Sequence, residues 1–368
     1  MSTYTPNFDV KVYGGAVGDG VTDDTAAIQR TINDAAQAMY SRGGAGVVYF
    51  PPSKDWYRVT DLHIPPMSYS QGWLTLLFDN GLLVEGSIYP TRGNAFIGRT
   101  SSYGAMGGSF VQGPFAEWQK DKYTKTPGPL VTMYGTSNIY FEGIGFADAG
   151  GGPTTVWMHS APTNTTYNAG LGSGCVDTVF DRCLIIGRLL IDNDPPHNSG
   201  FGLIMGRCAV NGKVEMHSYG GVAIRDSFIG QIVAHDSNGV ILENILTESL
   251  NSQDFFEWRK TVPGGGGTDV SMTNVSVADS VNAYYFKLMN DVAGEVWTPS
   301  IKMVNCGGNP INPVSNCNPS VWAEGEYAYQ IQTLTTPQLY CSLVWTPKGG
   351  LTIKGSPWLT TPFNVIPK

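Results

Sequence analysis

The sequence holds no apolar run approaching the ~18 residues of a membrane-crossing helix, so no membrane insertion is expected. Charge is scarce as well: Asp, Glu, Lys and Arg make up 14% of the 368 residues. Lys and Arg number 22 against 30 Asp and Glu, a net charge of −8, and no basic run occurs. Phosphate binding needs clustered cations, so no nucleic-acid partner is expected. Six Cys are too few at this length for a disulfide scaffold. No metal-ligand motif of fixed spacing is present, and neither a metal nor another cofactor is expected. Residues 1–10 are polar and hold no apolar signal core. The chain is therefore expected to have lost a signal or to leave its cell without one, for example by phage lysis.

Gly (46) and Pro (23), by contrast, are plentiful. With so little charge they point to a β-rich chain with many tight turns. Residues 9–59 open it. Thr22 is the expected N-cap of a helix over Asp23–Tyr40, with Asp23 and Asp24 near its positive end. Ile28, Ile32, Ala35, Ala36 and Met39 fall on one stripe at helical spacing. Gly43, Gly44 and Gly46 end the helix, and Val47–Phe50 reads as a strand stopped by Pro51 and Pro52. An amphipathic helix before a first strand suits the covered end of a solenoid.

Further along, one pattern recurs: Ile139–Phe146, Thr178–Ile185, Leu203–Val210, Val222–Ile229, Val240–Thr247, Val270–Val277 and Ile301–Gly308. Each alternates apolar and polar residues, as half-buried strands do, then changes phase as a bend between two sheets requires. The corner column reads Gly143, Arg182, Arg207, Asp226, Asn244, Asn274, Asn305. Asn tolerates a left-handed backbone, and stacked amides can hydrogen-bond along such a column. The next column, Ile144, Cys183, Cys208, Ser227, Ile245, Val275 and Cys306, should point inward. Its Cys read as small packed thiols. A Cys183–Cys208 bridge is the alternative, and Cys317 and Cys341 are left open. The fold expected is all-β: a right-handed parallel β-helix of about ten rungs with an N-terminal capping helix. Its parts are a cap over 1–60, the helix over 61–308, and an irregular cap or subunit contact with a last rung over 309–368.

The strings DVKVYG, GDGVTDD, AIQ, GG and VYFPP resemble the opening of the pectate-lyase-like β-helix superfamily. That group holds polygalacturonases, phage tailspikes and capsule depolymerases. A second stretch, GGSFVQGPFAEW (107–118) with PGPLVTMYGTSNIYFEGIGF (127–146) and Trp157, is similar to polygalacturonases. This resemblance implies glycoside hydrolysis. The Asn-Thr-Asp, Asp-Asp and Gly-His-Gly motifs of that family do not follow, however, so its catalytic aspartates are not carried over. Asp192-Asn193-Asp194 is the nearest substitute.

Four insertions are expected, at 86–129, 148–174, 192–200 and 251–267; loops of this kind are often functional. Trp118, Trp157, Phe255 and Trp258 are the candidates for stacking on sugar rings, Phe255 and Trp258 alternatively plugging the solenoid or a subunit interface. Glycoside hydrolysis needs two carboxyl groups, roughly 5 Å apart for retention or 6.5–9.5 Å for inversion. Adjacent and alternate rungs supply these spacings. Arg225 and Glu243 occupy one position on neighbouring rungs and read first as an ion pair. His217 and His235 each precede a strand by the same interval and should stack. Glu215 and Asp236 lie beside them, with Asp192, Asp194 and His197 one rung earlier. This set can run acid–base chemistry or form a solvated polar face.

The resemblance and the aromatic loops together imply a glycan-binding, tailspike-like homotrimer at a virion or cell surface. Its partners would be a polysaccharide or surface glycan and other virion tail proteins. A secreted polysaccharide hydrolase or lyase with an unfamiliar catalytic set, and a purely structural appendage, remain open.

Overall fold

Ile28, Thr31, Ile32, Ala35, Ala36 and Met39 are buried along one side of the helix Thr25–Arg42. The computed structural model describes residues 8–43, 46–68, 72–99, 108–112, 129–147, 154–160, 174–193, 200–248, 255–278, 286–304 and 306. Beyond these it describes the strands 311–314, 320–324, 330–332, 342–345, 352–354 and 364–367. Thr22 is not the cap. That position falls to Asp24, whose carboxylate turns back to accept the N–H groups of Val17 (2.7 Å) and Gly18 (2.9 Å). Thr22 instead donates its hydroxyl to Asp19 at 2.9 Å. The acidic residues thus organise the preceding turn. The helix lies close to the strand Gly46–Phe50, where a Cβ on Gly46 would stand 2.6 Å from the Met39 sulfur.

The chain divides into two compact units, Met1–Leu190 and Ile191–Lys368. Each is a parallel β-helix. In the first, parallel pairing aligns Val48, Leu76, Phe96, Phe141 and Phe180 on successive rungs. The rings of Phe96, Phe141 and Phe180 stack at 4.8 and 5.0 Å. A second face aligns Tyr57, Leu82, Phe110, Phe146 and Ile185. A third aligns Leu62, Ile88, Val131 and Val156. Rungs of three short strands therefore enclose an apolar core. In the second unit, Leu203, Val222, Val240, Val270, Ile301, Val321, Leu343 and Val365 share one register column. Within 309–368, where an irregular cap or subunit contact with a last rung was expected, the strands Ser320–Glu324, Ser342–Trp345 and Asn364–Pro367 extend this column.

Insertion 86–129 is also corrected. Ile88–Tyr89, Asn94–Gly98 and Gly108–Gln112 supply one strand to each face, and Phe110 is fully buried. Likewise Val156–His159, inside 148–174, is a strand paired with Val131–Tyr134.

The corner column takes the left-handed backbone expected of it. φ is 64° at Gly143, 52° at Arg182, 54° at Arg207, 50° at Asp226, 55° at Asn244 and 52° at Asn274. Asn305 lies outside the described residues. The Asn244 amide donates to Asp226 Oδ1 at 2.8 Å, and that of Asn274 donates to Asn244 Oδ1 at 2.9 Å. The inward column is buried throughout, from Ile144 to Cys306. Cys175, Cys183, Cys208 and Cys306 are free thiols. No Cys183–Cys208 bridge forms, while Cys317 and Cys341 lie outside the described residues.

Candidate functional site

In the second unit the strands Ala209–His217, Tyr219–His235, Phe256–Lys260 and Phe286–Asn290 build one face. Val214, Ile232, Phe256 and Phe286 align, as do Met216, Ala234, Trp258 and Leu288. Alternation along a strand sends the intervening residues outward. Two outward columns result. One reads Glu215, Val233, Glu257, Lys287, and the other His217, His235, Arg259, Met289. A bulge between Val210 and Lys213 resets the register on entry to this face.

The charged groups are closely matched. Glu215 is 9% exposed. Its Oε2 lies 2.6 Å from Lys213 Nζ and its Oε1 3.1 Å from His217 Nε2. His217 Nδ1 is 3.8 Å from Asp192 Oδ1. The rings of His217 and His235 are 4.5 Å apart at 37°. Burial, then the neighbouring His217 and Arg259, hold His235 below the ordinary imidazole pKa, against opposing pulls from Glu215 and Glu257. Arg259 pairs with Asp291 at 2.7 Å, and Lys287 stands 3.7 Å from Glu257. Paired ionised groups on a solvated face suit hydrogen bonding to a hydroxyl-rich ligand.

The face unites Asp192, Glu215, His217 and His235. Asp236 separates from them: at φ 48° its carboxylate accepts the Thr261 N–H at 3.0 Å and the Thr261 hydroxyl, which fixes the following loop. Asp194, His197 and Trp118 lie outside the described residues. Phe255 and Trp258, 2% and 0% exposed, are core residues rather than sugar platforms. Trp258 donates its indole N–H to Ser237 O at 3.1 Å and meets Trp297 edge-on at 4.9 Å. Trp157, in the first unit, is half-buried and edge-on to Tyr134 at 5.9 Å. Elsewhere on the second unit, Arg225 pairs with Glu243 at 3.1 Å, as their shared position foretold. Lys213, Glu257, Arg259 and Lys287 join the face although no motif in the sequence marks them. The period-two alternation of FEWRK (256–260) and FKLMN (286–290) carries the signal for the last three.

Residues 8–60 match the family profile described as rhamnogalacturonase A/epimerase, pectate lyase-like, on the segment whose strings carried the resemblance. No curated protein matches the chain. Among solved structures, the chain is similar to tailspike protein 3 of bacteriophage CBA120, with 10% identity and a TM-score of 0.47, covering 97% of this chain and 61% of that one. An exopolygalacturonase from Thermotoga maritima shares 9% identity at a TM-score of 0.35, over 88% and 86% of the two chains. The surface protein and adhesin PfbA of Streptococcus pneumoniae shares 14% at 0.41, over 94% and 95%. Likenesses this distant carry nothing about activity.

Proposed function

We propose that this chain is a tailspike-like protein, a homotrimer at a virion or cell surface that binds a polysaccharide along the outer face of its second unit. One observation carries this reading. Asp192, His217, His235 and Arg259, with Lys213, Glu215, Glu257 and Lys287, form a polar face at the rung interval, interrupted by Val233 between Glu215 and Glu257. Strand spacing repeats every ~4.8 Å, close to the advance of a sugar residue along an extended chain. Planar imidazole, carboxylate and guanidinium groups at that interval can hydrogen-bond successive hydroxyls. The trimer has a candidate contact in the outward column Ile204, Ala223, Ile241, whose two Ile are exposed, as is nearby Phe201. Other virion tail proteins would be its structural partners. A glycan array, read with wild type and with the His217→Ala/His235→Ala double variant, tests the binding. Light scattering tests the trimer, which Ile204→Glu/Ile241→Glu should dissociate.

A second reading, cleavage of the bound glycan, rests on Glu215 and Glu257. They occupy one column on alternate rungs, separated by the small, buried Val233. Alternate rungs are roughly 9.6 Å apart, near the upper end of the spacing used by inverting hydrolases. Reducing-end release that disappears in both Glu215→Gln and Glu257→Gln supports cleavage. Release unchanged in either variant removes the pair.

A further inference from the structure

The first unit contains a cleft of about 880 Å³ between the capping helix and the third face of the β-helix. Gln29 and Asn33 form the helix side. Ile64, Pro65, Pro66 and Pro90 make much of the wall apolar. His63 and Tyr89 are in register on successive rungs, and since Ile88 aligns with Val131 on the next rung, Thr132 continues their column. His63 and Tyr89 stack ring on ring, 4.6 Å apart at 6°. That stack covers one face of Tyr89. Thr132, next to the Ile88 partner Val131 on the following rung, is small and 4% exposed. Tyr134, two residues further along the Thr132 strand, also lines the cleft. The site is thus a notch with an aromatic wall, a Thr floor and apolar flanks.

Among the described residues, the lining holds no carboxylate, ammonium or guanidinium group. Among the described residues, the Tyr89 hydroxyl has no hydrogen-bond partner. Burial, with Asp61 and Tyr134 nearby, raises its pKa, so it stays a neutral donor. Other polar groups are already engaged. The Gln29 amide bridges the His63 backbone, donating to its oxygen at 2.7 Å and accepting its N–H at 2.8 Å. The Thr132 and Ser87 hydroxyls share a hydrogen bond at 2.8 Å. These bonds make the cleft preformed, and its size falls within the range of small-ligand sites.

We propose that this cleft binds a neutral sugar unit, seated over Thr132 with one apolar ring face against Tyr89. An aromatic wall suits the C–H face of a pyranose, and a sparse set of neutral donors suits its hydroxyls. A uronate would find no Lys or Arg among the described lining residues to pair with its carboxylate. The site is independent of the charged face of the second unit and does not rest on the function proposed for it.

The test uses the full chain and titrates maltohexaose, cellohexaose, laminarihexaose, mannohexaose and a galactan hexamer by calorimetry, with trigalacturonate as the acidic counterpart. At least one neutral hexamer should bind in the millimolar range or tighter, with trigalacturonate at least about tenfold weaker. Tyr89→Ala should weaken that binding by about tenfold or more. Asn33→Trp, at an exposed helix position, should block the cleft without touching the core. The His217→Ala/His235→Ala variant should bind the neutral hexamer as wild type does. The proposal is overturned if no neutral hexamer binds at about 10 mM. It is equally overturned if both Tyr89→Ala and Asn33→Trp bind unchanged, or if trigalacturonate is preferred.

Discussion

The imidazoles of His217 and His235 stack 4.5 Å apart on consecutive rungs, and the two rings are not electrostatically equivalent. His217 is flanked by the carboxylates of Glu215 and Asp192. His235 has Arg259 next to it in the column.

The depressed pKa of His235 predicts a pH dependence of stability. Folding disfavours its protonated form, so the unfolded chain binds the proton more readily. The stability is full above the unfolded pKa, about 6.5, and is lost as pH falls through the lower folded value. The thermal midpoint of wild type should therefore drop on acidification from neutrality, and that of His235→Gln should drop less. Calorimetry across this range reads the difference, and parallel curves would contradict the assignment.

The corner ladder yields a graded series. Asn244 accepts from Asn274 and donates to Asp226 at φ 55°. Asn244→Ala should cost about 1–2 kcal/mol, from a left-handed Ala and lost hydrogen bonds. Asn244→Gly should cost roughly half, because glycine keeps the backbone at ease. Asp226→Asn retains an acceptor and should be nearly neutral. Urea unfolding midpoints should fall in the order Asp226→Asn, Asn244→Gly, Asn244→Ala.

Burial raises the thiol pKa of Cys175 and pushes that of Cys306 up to about 11. Neither should react with a thiol reagent at pH 8 in the folded chain, and both should react in denaturant. Mass spectrometry of labelled peptides makes the comparison. Rapid labelling of Cys306 under native conditions would contradict its place in the core.

Trp258 separates core from binding surface. Trp258→Ala should destabilise by about 3–5 kcal/mol. Trp258→Phe, which keeps an aromatic ring inside, should bind glycan as wild type does. A glycan defect in Trp258→Phe at unchanged stability would restore the residue to the ligand site.

Elements with a one-residue chemical signature are legible in the sequence. Left-handed corners favour Gly, Asn and Asp, so Gly143, Asp226, Asn244 and Asn274 of the corner column stand out by residue type, while Arg182 and Arg207, at φ 52° and 54°, are placed by spacing alone. The inward position beside it selects small apolar residues, which places Cys183, Cys208 and Cys306. His217 and His235 can be paired because their rungs are 18 residues apart with no insertion between them. The rung within residues 88–112 is hidden, by contrast. Its strands at Ile88–Tyr89 and Asn94–Gly98 are too short for alternation to stand out beside Pro90 and Gly93. Phe255 and Trp258 are ambiguous in sequence because they lie within 251–267, where the 30 residues between Leu242 and Met272 interrupt the repeat and the phase of in and out must be set afresh. Once FEWRK is aligned with VEMH and IVAH, Glu257 and Arg259 join the outward columns. Side-chain partners across rungs, such as Asp236 with Thr261, depend on loop paths that no periodicity encodes.

The central claim, that the second unit binds a glycan through its outward polar face, is tested most directly by one comparison. Wild type and the His217→Ala/His235→Ala variant are applied at equal concentration to one array of bacterial surface polysaccharides, after unfolding curves have shown both to be folded. Wild type should bind a restricted set of glycans, and the variant should lose that set by about tenfold or more in affinity. Wild type binding none of them, or both proteins binding the same set equally, would contradict it.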